Sequence, residues 1–139
     1  MNIYFAGSIR AGLNDVDLYK TLIEHLKKYG NVLTEHVGDE KLTKKTENLL
    51  SDKQIHDRDI EWLLNSDVLV AEVTTPSLGV GYEIARAVEH NLSILCLYRP
   101  QEGKKLSAMI KGSATIINHE YSRAGEAKTI IDSFMNNLS

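Results

Sequence analysis

Val68-Leu69-Val70-Ala71-Glu72-Val73 is the stretch on which the fold turns. It is an almost unbroken apolar run rich in β-branched residues, without the alternation of a half-exposed strand. Such a run predicts a strand covered on both faces. Helical spacing flanks it on either side. Upstream, Ser51 or Asp52 can cap a helix running to about Asn65, with Ile55, Trp62 and Leu63 facing inward. Downstream, a helix over Gly79–His90 leads into another apolar run, Ser93–Tyr98.

The same alternation extends to both ends. Asn2–Phe5 reads as a first strand, and Asp15–Tyr29 as a helix with Leu18, Leu22, Ile23 and Leu26 on one face. Gly30 supplies a stop before a short strand at Val32–Leu33. The polar, Lys-rich segment Gly38–Ser51 reads as a mobile surface loop. Thr115–Ile117 is expected as the last strand, and Ala124–Leu138 carries Ala127, Ile130, Ile131, Phe134 and Leu138 at helical spacing. Strands alternating with helices call for a parallel sheet with helices on both faces. The expectation is an α/β sandwich, Rossmann-like or flavodoxin-like, with five parallel strands in a single domain over residues 1–139.

Composition narrows the partners. Sixteen Lys and Arg against nineteen Asp and Glu give a net charge of −3 over 139 residues. Duplex binders carry a basic excess, so affinity for a nucleic acid polymer is not expected, whereas a small anion held by local donors remains open. No apolar segment approaches the roughly 18 residues of a membrane span, so no membrane partner is expected. The start, Met1 to Gly7, lacks the basic region of a signal peptide. An intracellular protein is the expectation, cytoplasmic, with nuclear entry left open. The one cysteine, Cys96, lies within an apolar strand and reads as a small buried hydrophobe.

In sheets of this kind ligands sit beyond the carboxyl ends of the strands. Polar residues following each strand therefore matter most. After the first come Gly7, Ser8, Ile9 and Arg10: a glycine that lets a ligand approach, then hydroxyl and guanidinium donors. The spacing of Gly7 and Gly12 is neither a dinucleotide fingerprint nor a Walker loop. An ordinary connecting loop would look the same. After the central run come Ser77, Gly79, Gly81 and Glu83. Ser77 can cap the helix or bind a ligand, and Glu83 is expected in its first turn, kept ionised by the helix dipole. It can be a nucleophile or merely a dipole-complementing acid.

Asp59, one turn from Ile55 and three residues before Trp62, borders the buried face of its helix. An acid there must be paired, for instance with Arg58, or raised in pKa for general acid work. Two carboxylates beside an anion loop are the equipment for cleavage at a sugar carbon. The histidines His25, His36, His56, His90 and His119 show no metal-ligand spacing, so neither metal nor cofactor is expected. His36, just after the second strand, is placed to touch a ligand.

Several runs together resemble a known family. They are Ile3–Arg10, Val32–Val37, Ala71–Val73, Pro76–Glu83, Ile94–Pro100 and Leu106–Ile110. Their order and content resemble 2'-deoxynucleoside 5'-phosphate N-hydrolases of the nucleoside 2-deoxyribosyltransferase superfamily. The resemblance runs from Ile3 to about Gly112; residues 38–51 and the tail carry little of it. It implies a homodimer that cleaves the N-glycosidic bond of a 2'-deoxynucleoside 5'-monophosphate to free base and 2-deoxyribose 5-phosphate. It implies Glu83 as nucleophile, Asp59 as acid and base, and Tyr4 as a site tyrosine able to hydrogen-bond Glu83. Phosphate would be held by Ser8, Arg10, Ser77 and, from the neighbouring subunit, Ser107. Ile9, His36 and Met109 would surround the base. A deoxyribosyltransferase exchanging bases on unphosphorylated nucleosides is the alternative reading, and a non-catalytic nucleotide sensor is a second.

Overall fold

The computed structural model describes residues 1–9 and 13–138. Among them the chain forms β1 (Asn2–Gly7), α1 (Leu13–Leu26), β2 (Asn31–Val32), a 3-10 turn (Glu35–Gly38), α2 (Glu40–Leu49), α3 (Asp52–Leu64) and β3 (Val68–Glu72). It continues through α4 (Leu78–Glu89), β4 (Ser93–Tyr98), a short α5 (Ala108–Lys111), β5 (Ile116–Glu120) and α6 (Ala124–Asn136). All pairings are parallel, in the order β2-β1-β3-β4-β5. The expected five-stranded α/β sandwich is what forms.

Strand pleating divides the core. Ile3, Phe5, Val68, Val70, Leu95 and Leu97 face α1 and α6, where Leu22, Ile23, Ile131 and Phe134 meet them. Tyr4, Ala6, Leu69, Ala71, Ile94 and Cys96 face α3 and α4, against Ile60, Leu63, Val80 and Ile84. Because side chains alternate along a strand, this register commits Tyr4 to the α4 side and Gly7 to the α1 side. Gly7 lies so close to α1 that a Cβ there would come within 2.8 Å of the Tyr19 ring.

The expected loop at 38–51 is corrected by the structure: most of it is α2. Asp39 starts this helix by accepting from the Leu42 amide (3.0 Å), and the Thr43 hydroxyl donates to the His36 carbonyl at 2.6 Å. Anchorage runs through a buried threonine rather than a hydrophobic stripe, so the helix leaves little apolar periodicity to read. At the other end, β5 covers 116–120 rather than 115–117, because backbone pairing with β4 carries an edge strand through polar Asn118, His119 and Glu120. Helix α1 begins and ends earlier than expected. Ser51 does cap α3, in a reciprocal box with Gln54, and Asn65 closes it. No described helix is long and apolar enough to cross a membrane.

Strand order reverses between β1 and β3. From β1 the chain steps outward to β2, then returns past β1 to reach β3, so the loops leaving β1 and β3 part to opposite faces. A crevice opens between them at the carboxyl edge of the sheet.

Candidate active site

That crevice is a cleft of about 550 Å³. One wall is the end of β1 with Ser8 and Ile9; the facing wall runs from Thr75 through Pro76 into the first turns of α4. Tyr4 and Glu83 form part of it at depth, and Asp59 reaches it from α3. Of the residues singled out in the sequence, Tyr4, Gly7, Ser8, Ile9, His36, Asp59, Ser77, Gly79 and Glu83 all line this one cleft. Arg10 lies outside the described residues. Ser107 and Met109 do not line it; they border a neighbouring cleft with Leu106 and Ile110 that shares the Thr75–Leu78 wall.

Glu83 departs from its expected setting. Ser77 is the N-cap of α4, its side chain accepting from the Val80 amide at 3.3 Å, which makes Glu83 the sixth helical residue. It therefore lies past the first turn, where the dipole is most effective. Burial dominates instead and pushes its carboxyl up from 4.5 to about 7. The Tyr4 hydroxyl donates to Oε2 of this carboxylate and fixes its orientation. A carboxyl poised near neutrality, oriented by a buried tyrosine, is suited to attack on a cationic carbon or to proton transfer.

Asp59 takes the paired alternative. Oδ1 accepts from Arg58 at Nε (2.9 Å) and lies 2.8 Å from Nη2. The guanidinium carbon lies 4.8 Å from the centroid of the Trp62 ring, one helical turn on, and His36 packs against the same indole at 5.5 Å between centroids. Trp62 thus supports both the ion pair and the imidazole. Enclosure, then the positive Arg58, lower the pKa of His36, with Asp59 opposing, so the ring presents itself neutral to the cleft. Arg58 and Trp62 were not singled out for the site from sequence; their i, i+4 spacing on a helix already bearing a candidate acid was the available signal.

Among the described residues, a Cβ at Gly79 would meet only the Ser77 hydroxyl, at 3.8 Å. No atom of the described residues demands this glycine, although glycine inside a helix costs about 1 kcal/mol relative to alanine. What it leaves free is room at the cleft wall for a ligand to approach the backbone.

The sequence pattern of nucleoside 2-deoxyribosyltransferases matches residues 3–128. The chain belongs to the nucleoside 2-deoxyribosyltransferase family. The match continues beyond Gly112 through β5 into α6, further than the motifs alone extended. Among relatives, the 5-hydroxymethyl-dUMP N-hydrolase of Danio rerio is 52% identical over 141 residues, covering 100% of this chain and 99% of that one. The protein of the same name from Esox lucius is 47% identical over 143 residues, again covering 100% and 99%. Among solved structures, the CMP N-glycosidase of Clostridium botulinum superimposes with a TM-score of 0.72 at 19% identity, over 96% of this chain and 99% of the other. That likeness speaks for the fold of this family member.

Proposed function

We propose that this chain hydrolyses the N-glycosidic bond of 2'-deoxynucleoside 5'-monophosphates, releasing nucleobase and 2-deoxyribose 5-phosphate. The observation that carries this reading is the cleft shared by Asp59 and the Tyr4-bound Glu83. It is supported by full-length similarity to enzymes named N-hydrolases of a deoxynucleotide. The cleft volume suits a mononucleotide.

In this mechanism Glu83 attacks the anomeric carbon as positive charge develops there. Asp59, in its protonated form and released from Arg58, gives its proton to the departing base, then recovers one from the water that cleaves the glycosyl–Glu83 ester. Two displacements give retention. Ser8, Arg10 and Ser77 hold the phosphate and so anchor the sugar in the cleft. Ile9 and His36 flank the base, the neutral imidazole adding no charge beside the nascent cation.

Ser107 of the partner subunit would complete the phosphate site in a homodimer, with Met109 beside the base. Leu78 and Met109, 96% and 82% exposed on the neighbouring cleft, supply apolar surface for that contact. Incubation with 5-hydroxymethyl-dUMP and a panel of deoxynucleoside monophosphates, with chromatography for free base, tests the reaction. Release of base is expected, and no base from any of them overturns it. Efficient base exchange on unphosphorylated nucleosides would instead favour the transferase. Sedimentation should give a dimer; an active monomer would contradict the shared site.

A further inference from the structure

Behind the cleft, at the carboxyl ends of β3 and β4, lies a charged network that the mechanism does not use. Its centre is Glu72, fully buried at the end of β3. The Thr74 amide donates to its Oε1 at 2.7 Å, and the Thr74 hydroxyl to its Oε2 at 3.0 Å. The Tyr121 hydroxyl also donates to Oε2. Arg99, just past β4, brings Nε to 3.4 Å from the same oxygen and donates from Nη2 to Asp15 Oδ1 at 2.5 Å. Asp15, in the first turn of α1, accepts through Oδ2 from the Thr75 hydroxyl at 3.1 Å. The Arg99 amide donates to the Thr74 hydroxyl at 2.9 Å, closing the ring of contacts.

The network has a direction. None of Glu72, Arg99 and Asp15 lines the cleft, yet Thr75 does, directly before Pro76 and Ser77. On the opposite wall, the Gly7–Tyr19 contact presses α1 against the end of β1, next to Ser8. Asp15 lies one turn before Tyr19 on the same helix. It is therefore the one side chain of the network that joins the helix beneath the first wall to the loop forming the second. A buried ion pair is weak evidence for stability, since apolar residues of equal volume often serve as well or better. What a paired and hydrogen-bonded set does supply is fixed geometry.

We propose that Asp15 and Arg99 are positioning residues for the phosphate end of the cleft, acting through Thr75 to set the spacing between Ser8 and Ser77. This rests on the nucleotide reading of the site. Neither residue touches the reacting atoms. Their loss therefore falls on capture of the phosphate-bearing substrate rather than on the chemistry at the anomeric carbon.

The experiment compares wild type with Asp15→Asn, Arg99→Gln, Arg99→Lys and the double variant Asp15→Asn/Arg99→Gln. It reads kcat and KM for 5-hydroxymethyl-dUMP and for its unphosphorylated nucleoside, and calorimetric affinity for 2-deoxyribose 5-phosphate. Asp15→Asn and Arg99→Gln should each raise KM for the monophosphate about tenfold, with kcat within about twofold. Affinity for 2-deoxyribose 5-phosphate should fall by a similar factor while the nucleoside is unaffected. Arg99→Lys, which keeps the charge without the fork, should fall between wild type and Arg99→Gln. The double variant should be no worse than the poorer single one. Asp15→Asn is isosteric with the wild type, so it keeps the test alive should Arg99→Gln fail to fold. Equal losses on phosphorylated and unphosphorylated compounds, unchanged KM, or a wild type that does not bind 2-deoxyribose 5-phosphate overturns the inference. Failure of the hydrolase reading shows separately, as wild type that binds the sugar phosphate yet frees no base.

Discussion

The Tyr4 hydroxyl donates to Glu83 Oε2, linking the interior of β1 to the second turn of α4 across the face of the sheet. Tyr4 is 1% exposed, so its ring cannot swing away and Glu83 is held from a rigid strand. A hydrogen bond to a carboxylate favours the ionised form, in opposition to burial. Tyr4→Phe should therefore raise the Glu83 pKa and lower kcat at pH 7 about ten- to a hundredfold. The pH dependence of kcat/KM checks this: its acid limb should move to higher pH. An unmoved limb would separate Tyr4 from control of the carboxyl.

In the unmutated enzyme the sign of the pH dependence follows from the same group. A nucleophile must be ionised, and enclosure places Glu83 at about 7. Below that value kcat/KM should fall about tenfold per pH unit. A profile flat from pH 5 to 8 would exclude Glu83 as the nucleophile.

Stability should run the other way. The folded state raises this carboxyl from its ordinary 4.5, so it binds the proton more tightly than the unfolded chain does. Stability from this group is then present below 4.5 and is lost as pH rises to about 7. At full ionisation the raised value corresponds to at most roughly 3 kcal/mol. Glu83→Gln, inactive, should melt above wild type at pH 8, with the gap closing near pH 5. Thermal denaturation at the two pH values measures it; equal melting points throughout would show that the carboxyl is not held against a desolvation penalty.

Asp59 is testable through the leaving group. If it protonates the departing base, Asp59→Asn should cost about 10²–10⁴ in kcat on a deoxynucleotide whose base leaves poorly as an anion. The loss should shrink on one whose base is acidic. Steady-state rates over a series of bases of graded acidity give the comparison, and a uniform loss would leave Asp59 only a positioning role.

The layered fold was readable because β3 and β4 are buried on both faces, which leaves continuous apolar runs in the chain. Helix α2 was not readable, since Asp39 and Thr43 secure it by hydrogen bonds instead of a hydrophobic stripe. Within the site, sequence identified Glu83 and Asp59 by type, but their protonation setting depends on tertiary surroundings. Glu83 was expected to be ionised by a helix terminus; the helix starts one residue earlier than expected and burial outweighs the dipole. Arg58's hold on Asp59 was one of two open alternatives, and only packing against Trp62 shows how it is braced. The Asp15–Arg99 pair was invisible, because 84 residues separate its members.

Cys96 gives the molecule a built-in reporter. The chain's one thiol lies on the inner strand β4, between β3 and β5, with no exposed surface and a pKa pushed up to about 12 by burial. A thiol reagent needs the thiolate, so it gains access only when the sheet itself opens. The labelling rate of this single sulfur thus clocks the opening of the central sheet. It does so without any engineered probe, and every variant above carries the same clock.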